Sequence, residues 1–312
     1  MMLHFRSLAW FLLCACCFLS FFSSCQSGPD DATRAEGMCA VTFSVTNYRQ
    51  ISFDDLSVPA ASRAETVSMT LANMSVTIFD AESGERVLPT VLHKSNDYLD
   101  DPLAFSQFSF DLPFGRYRVL VLGYNGSREC NIASLGHISW ADDYVPNTFL
   151  YQEEFTVGEG TSLSKDVKLK RVVAAFRLTA EDAIPAELEK MRFASTVGGT
   201  VLNGLTGFAT ENSGRTSEIT VPSGYAGNAG VDFTVYLFLP SEQVDGSYTV
   251  QAIGQDNAVL FGKNFGDVSL RINYLTTWKG SFFDEDNGET PRFPNGLNIS
   301  WDMDWAGEIS LP

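Results

Sequence analysis

The sequence predicts an all-β protein made of two tandem β-sandwich domains with at most one or two short helices. Apolar and polar residues alternate along most of the chain, which places apolar side chains on one face of each strand. Aromatic residues make up 12% of the 312 residues, and such side chains favour strands. The 25 glycines and 12 prolines supply turns between many short strands, as a sandwich requires.

The first element, residues 1–24, is predicted to be a lipoprotein signal peptide. Residues 8–22 carry no charge, but this run is shorter than the roughly 20 residues of a membrane-spanning helix. The stretch "FSSC", which ends at Cys25, is similar to a bacterial lipobox with Phe22 where Leu is usual. In lipoproteins of that kind the cysteine carries a diacylglycerol and a fatty acyl group such as palmitate. Cys25 is therefore the predicted lipidation site, and no other cofactor is predicted.

The alternative for this segment is an ordinary signal peptide in which the cysteine is incidental. The lipobox interpretation predicts a protein attached through lipid to the outer membrane and exposed at the cell surface. Residues 25–37 have little apolar content and are predicted to be a flexible tether.

The amino-terminal sandwich is predicted over residues 38–167. Its first strand is "AVTFSVT" (40–46), which places alternate apolar residues on one face. The segments "ANMSVTIFD" (72–80) and "FGRYRVLVLGYNG" (114–126) follow the same pattern, and the second ends in an Asn-Gly turn signal. A change of composition within "LSKDVKLKRVVAAFRLT" (163–179) places the domain boundary near residues 168–171.

The carboxy-terminal sandwich is predicted over residues 168–312. The segment "IPAELEKMRF" (184–193) is the one predicted helix, with Pro185 in its first turn. Alternation predicts further strands at residues 232–240, 246–255, 267–283 and 297–305.

The last residues continue the alternation. After Trp305 the apolar positions resume at Ile309 and Leu311. This strand either completes the sandwich of its own chain or is lent to a neighbouring subunit, which makes Ile309 and Leu311 candidate donor-strand residues.

Two cysteines remain beside Cys25 once the signal is removed, Cys39 and Cys130. An even pair in an exported chain predicts a disulfide. The alternative is two buried free thiols.

The charge excludes some partners. The net charge is −17, and removal of the signal leaves 20 basic and 38 acidic residues, a net charge of −18. Nucleic acid is therefore not a predicted partner, because its phosphates repel such a chain.

No catalytic or metal-binding motif is present, so the chain is predicted not to be an enzyme. His93 and His137 lie in no ligand-spaced motif, and no hydrolase elbow, Walker or Rossmann pattern occurs. The acidic run "DEDNGE" (284–289) lacks the alternation of a calcium loop and is predicted to be a solvated turn.

The order of segments carries a resemblance. Six segments, taken in their order, resemble the fimbrillin-associated lipoproteins of type V pili, the FimB/Mfa-type anchor and minor subunits of Bacteroidia. They are the lipobox, "CAVTFSV", "MSVTIFDAESGERV", "LPFGRYRVLVLGYNG", "KRVVAAFRL" and "RINYLTTWKGSFF". The likeness extends over most of residues 25–283. It implies two transthyretin-like sandwiches, assembly with other fimbrial subunits by β-strand donation, and a host or bacterial surface ligand reached through the pilus.

Three roles within a fimbrium stay open: base anchor, stalk and tip. Stalk subunits of that family are cut after an arginine beyond the first strand, and Arg49 and Arg63 are the candidate processing sites here. A Cys39–Cys130 disulfide would tie a severed strand to the domain, which favours an uncut anchor.

A different class of function also stays open. A surface lipoprotein could bind glycan through exposed aromatic side chains, and the candidates are Trp140, Tyr144, Trp301 and Trp305.

Overall fold

The computed structural model describes residues 37–46, 71–159, 162–283, 305 and 307–311, which form eighteen strands and one short α-helix, so the all-β prediction is confirmed. The strands of the amino-terminal half are β1 (Met38–Val45), β2 (Asn73–Asp80), β3 (Val91–Lys94), β4 (Gln107–Pro113), β5 (Gly115–Asn125), β6 (Cys130–Ser134), β7 (His137–Trp140), β8 (Asn147–Val157), β9 (Leu163–Val167) and β10 (Lys170–Arg171). Those of the carboxy-terminal half are β11 (Ala174–Ala180), β12 (Lys190–Ser195), β13 (Arg215–Thr220), β14 (Val231–Leu237), β15 (Gln243–Ile253), β16 (Val259–Arg271), β17 (Tyr274–Gly280) and β18 (Gly307–Ser310). The helix α1 spans Pro102–Phe105, and Asp101 Oδ1 caps it by accepting from Ala104 N at 3.1 Å.

The amino-terminal half packs a three-stranded sheet, in the order β4-β1-β9, against a five-stranded sheet, in the order β10-β8-β5-β2-β3. The core between them is made by alternate residues of each strand, because side chains of a strand point in turn to its two faces. On β1 these residues are Val41, Phe43 and Val45, each at most 2% exposed, and on β5 they include Val119 and Val121.

Strand β2 is buried on both faces, which its alternating sequence did not predict. Its polar residues have partners: Thr77 Oγ1 lies 2.8 Å from Thr90 Oγ1, and Ser75 Oγ lies 3.7 Å from Cys130 Sγ. The outer face of the five-stranded sheet is covered by further apolar residues, so hydroxyl groups on that face take hydrogen bonds inside the protein in place of water.

The carboxy-terminal half packs the sheet β14-β11-β17-β18 against the sheet β13-β12-β15-β16. Phe176 of β11 lies in the middle of this core with no exposed surface. Its ring stacks on Tyr248 at 4.3 Å between centroids and meets the edges of Phe193 and Phe265 at 6.2 and 5.7 Å.

A third apolar cluster joins the two halves. Leu120 and Leu122, on the outer face of the five-stranded sheet, share it with Ala175, Phe238 and Leu275 of the carboxy-terminal half. The described residues from Cys39 onward belong to one compact unit. That residues 38–167 and 168–312 fold independently stays a prediction: each half has its own core, and the third cluster lies between them.

The helix predicted at residues 184–193 is wrong. Leu188 N donates to Pro185 O in a turn, and β12 begins at Lys190. Met191 and Phe193 enter the core, while the intervening Arg192 faces outward. This alternation of period two suits a strand, and the tertiary core decides in its favour over the helix propensity of the Glu and Lys residues.

The single strand predicted at residues 267–283 is two strands. The turn between β16 and β17 contains Asn273 with a positive φ of 61°, a conformation that asparagine adopts more readily than most residues. The chain crosses there from one sheet of the sandwich to the other. The strand predicted at residues 297–305 lies outside the described residues except for Trp305.

Candidate strand-exchange site

Strand β1 is the inner strand of its sheet. It lies between β4 and β9 and runs parallel to β9, with Val41 opposite Leu163 and Val45 opposite Val167. Phe43 is the centre of its apolar face, with ring centroids 5.5 Å from Phe155 and 6.3 Å from Phe110. Burial of Val41, Phe43 and Val45 stabilises the fold by about 1.5–3 kcal/mol for each side chain. A sheet without β1 would expose an apolar groove flanked by two strand edges.

The candidate processing sites Arg49 and Arg63 lie outside the described residues, as does the lipidation site Cys25. Those predictions therefore stay predictions. The same holds for Trp301 and for the acidic run at residues 284–289.

Strand β18 is the edge strand at the other end of the chain. It pairs in parallel with β17, with Tyr274 opposite Gly307 and Thr277 opposite Ser310. Leu311 N donates to Thr277 O at 2.7 Å, and the half-buried Leu311 side chain packs against the carboxy-terminal core. In this structure the candidate donor strand therefore pairs within its own chain.

The buried side chain of Arg171 links this tail to the junction between the two halves. It is 5% exposed and lies between two aromatic rings, 3.8 Å from the centroid of Trp305 and 4.7 Å from that of Phe149. Its Nε donates to Asn147 Oδ1 at 3.0 Å and its Nη1 to Asn273 Oδ1 at 3.2 Å. Because a guanidinium group is planar, it can stack on rings with its faces and donate along its edge.

Sequence reasoning missed this arrangement. The sequence indicates only that Arg171 lies near a domain boundary, and no sequence signal links it to Trp305, 134 positions further along the chain. The apolar stretch "VVAAF" follows Arg171, but Lys170 precedes it, so no local pattern marks this arginine as buried.

Both terminal strands share one topological property. β1 pairs with β9 after more than 100 intervening residues, and β18 pairs with β17 across residues 281–306. Neither strand is joined to that partner by a tight hairpin turn. Each can leave its sheet without breaking such a turn, and a strand from another chain can take the same hydrogen bonds.

Cys39 and Cys130 are free thiols in this structure, so the predicted disulfide is not formed here. Cys39 Sγ donates to Gly158 O at 3.1 Å, in the amino-terminal core. Cys130 Sγ lies by Ser75 Oγ on the outer face of the five-stranded sheet, and burial raises the pKa of this thiol. The two sulfur atoms therefore occupy different clusters of the fold.

Of the three candidates for glycan binding that the structure describes, two are buried. Trp140 is 4% exposed and packs between Tyr124 and Phe238 at 5.5 and 5.7 Å, and Trp305 is 7% exposed beneath Arg171. Tyr144 is half-buried, with the Arg128 guanidinium 5.3 Å from its ring. Trp140 and Trp305 are core residues, so the interpretation of them as exposed ligand contacts is wrong.

His93 and His137, the histidines that the structure describes, are at separate sites. The half-buried His93 lies on β3, where its Nδ1 is 3.0 Å from Phe105 O and its ring stacks on Phe108. His137 is exposed on β7. Among the described residues no group of three or more histidine, cysteine or acidic side chains could hold a metal ion. In the same part of the chain, no helix has the length and apolar character to cross a bilayer.

Comparison with solved structures finds remote likenesses. A candidate adhesin from Bacteroides ovatus ATCC 8483 is 13% identical, with a TM-score of 0.45 over 76% of this chain and 86% of that one. The tip fimbrial protein Mfa3 from Porphyromonas gingivalis, with a carboxy-terminal truncation, is 10% identical, with a TM-score of 0.34 over 73% and 81%. Likenesses of this size carry no functional argument.

No curated protein matches the chain. One family model does, and its match to residues 108–311 runs from β4 to the end of the β18 segment. This match covers well over half of the chain. The chain therefore belongs to the family of unknown function DUF6562.

Proposed function

We propose that this chain is a cell-adhesion or fimbrial protein that is held at the outer membrane by lipid on Cys25 and serves as the base anchor of a type V pilus. Neighbouring subunits join it by exchanging strands. The observation that carries the proposal is the topology of β1 and β18. Each pairs in parallel with a strand distant in sequence.

Strand exchange suits this topology for a physical reason. A strand from a second chain can form the same ladder of main-chain hydrogen bonds, and its alternate apolar side chains can enter the same pockets. The exchanged state therefore keeps nearly all interactions of the closed monomer. β18 is the better donor, because among the described strands it lies at the edge of its sheet with one partner strand, whereas β1 has two.

The anchor role rests on the lipid. A cut after Arg49 or Arg63 would separate Cys25 and β1 from the rest of the chain, so an uncut chain keeps both its lipid and a closed amino-terminal groove. A Cys39–Cys130 disulfide would favour an uncut anchor, but both cysteines are free thiols in this structure, so the proposed anchor role does not rest on that bond.

Replacing Cys25 with alanine is expected to move the protein from the membrane fraction to a soluble or unprocessed form, because it removes the group to which lipid is attached. Cell fractionation with immunoblotting measures this, and Cys14→Ala, inside the predicted signal, is the matched control. Unchanged membrane retention of Cys25→Ala would contradict lipid anchoring and would leave the proposed strand exchange untouched.

A disulfide across the tail tests strand exchange. Thr277 and Ser310 are opposite each other on β17 and β18, so cysteines at both positions are expected to lock the tail to its own chain when oxidised. Incorporation of the next subunit should then fall at least tenfold and return on reduction. The measurement is the yield of sheared fimbrial polymer per folded anchor.

The matched control is a disulfide that leaves the tail free. Thr249 and Asn264 are exposed and opposite each other on β15 and β16, and a cysteine pair there should leave assembly unchanged in both redox states. Equal incorporation by oxidised and reduced forms of the tail-locked variant would show that β18 is an ordinary part of its own sandwich.

A further inference from the structure

An open cleft lies along one side of the carboxy-terminal sandwich, between β13 and β14. These are the edge strands of the two facing sheets. The cleft has a volume of about 700 Å³, and its lining includes Arg128, Asp142 and Tyr144 of the amino-terminal half. Small-molecule sites commonly have volumes of about 300–1,000 Å³.

The acidic side chains that line the cleft all have basic partners. Asp142 pairs with Arg128 at 2.8 Å. Glu218 pairs with Lys190 and Arg192 at 3.0 and 2.7 Å. The third acid, Asp232, lies 3.7 Å from Arg177 and also accepts from Thr179 Oγ1 at 2.5 Å.

Arg215 is the lining cation without such a partner. Among the described residues no carboxylate lies within 4 Å of its guanidinium group, whose Nη1 donates to Tyr236 O at 3.2 Å. Its Nε is buried and donates to no atom of the described residues. Burial lowers the pKa of Arg215, and the nearby Tyr248 and Asp143 offset this only in part. A mostly buried cation without a counter-charge is unfavourable unless an anion joins it.

We propose that this cleft binds a saccharide that carries a carboxylate group, with Arg215 as the residue that holds the carboxylate. A guanidinium group matches a carboxylate in charge and in planar geometry. The lining also includes hydroxyl-bearing residues, which can hydrogen-bond a sugar: Thr216, Ser217, Thr220, Thr234, Tyr225 and Tyr236. The site is independent of the proposed strand exchange, since neither β1 nor β18 contributes to it.

The pairing of the lining acids allows an anion to enter the cleft of an acidic protein. A protein with a net charge of −17 repels anionic ligands at long range. Pairing of all three lining acids removes that repulsion inside the cleft and leaves one cation available. The alternative is that Arg215 only joins β13 to β14 through its hydrogen bond to the Tyr236 carbonyl. In that case no ligand is expected to bind.

The test uses the folded chain without its signal and two pairs of probes in isothermal titration calorimetry at low salt. 3′-Sialyllactose is compared with lactose, and a hyaluronan tetrasaccharide with its carboxyl-reduced form. At least one acidic probe is expected to bind at least tenfold more tightly than its neutral counterpart. Arg215→Gln should lose at least tenfold of that affinity, and Arg215→Lys should keep part of it.

Arg116→Gln is the control, because this exposed arginine of β5 pairs with Glu154 outside the cleft. It should bind the acidic probe as the unmodified protein does. If Arg215→Gln fails to fold, the unmodified protein and Arg215→Lys still test the proposal, because the affinities of acidic and neutral probes can be compared on both. Equal affinity for each pair of probes, or undiminished affinity of folded Arg215→Gln, overturns the proposal. Binding only of a control tetrapeptide with a free carboxylate end would also overturn it.

Discussion

Replacing Arg171 with alanine is expected to lower the free energy of unfolding by about 3–5 kcal/mol, less than the sum of its separate contacts, because contributions within one network are not additive. The change removes a buried guanidinium group from between Phe149 and Trp305, and a desolvated cation–π contact contributes about 2 kcal/mol. It also removes the donors to Asn147 and Asn273, where hydrogen bonds from a charged group contribute roughly 1.5–3 kcal/mol each. Urea unfolding followed by tryptophan fluorescence measures the loss.

Two variants make this prediction specific. Arg171→Lys keeps the charge but cannot stack as a plane or donate to both amides at once, so its stability should be intermediate. Arg116→Ala removes an exposed arginine and is expected to change stability little, because surface ion pairs contribute little. If Arg171→Ala unfolds at the same urea concentration as Arg116→Ala, the stack does not tie the tail to the junction.

Phe176→Ala is expected to destabilise the carboxy-terminal sandwich by about 3–5 kcal/mol, the usual cost of removing a buried phenylalanine. Its ring contacts Phe193, Tyr248 and Phe265 and has no exposed surface. The cavity left behind is walled by these rigid rings, which cannot collapse fully into it. Thermal unfolding monitored by near-ultraviolet circular dichroism measures the effect.

Phe114→Ala is the matched control, because Phe114 is 47% exposed and its loss should cost less than about 1 kcal/mol. Limited proteolysis adds a second readout. Independent domains predict that Phe176→Ala becomes cleavable after residue 174 while the amino-terminal half stays resistant. Simultaneous cleavage of both halves would contradict independent folding and would show that the third apolar cluster couples them.

Local patterns located several of the strands. On β1, Val41, Phe43 and Val45 alternate with polar residues in the sequence. As expected, their side chains point into the core of the amino-terminal half. The period of two is a local property, because it follows from the pleat of any single strand. Met191 and Phe193 show the same period of two. Their helix-favouring neighbours and Pro185 nevertheless predict a helix, where the structure has β12.

The sequence alone determined the all-β class and the approximate positions of many strands, because these follow from composition and from spacings of a few residues. Only the tertiary structure decided that β2 is buried on both faces, that Trp140 is a core residue and that Cys39 and Cys130 lie in different clusters. It also decided that Arg171 meets Trp305 and that the acids around Arg215 are already paired. The physical reason is that strand pairing joins residues more than a hundred positions apart and ion pairing joins residues tens of positions apart. No local pattern specifies which distant partner a side chain meets.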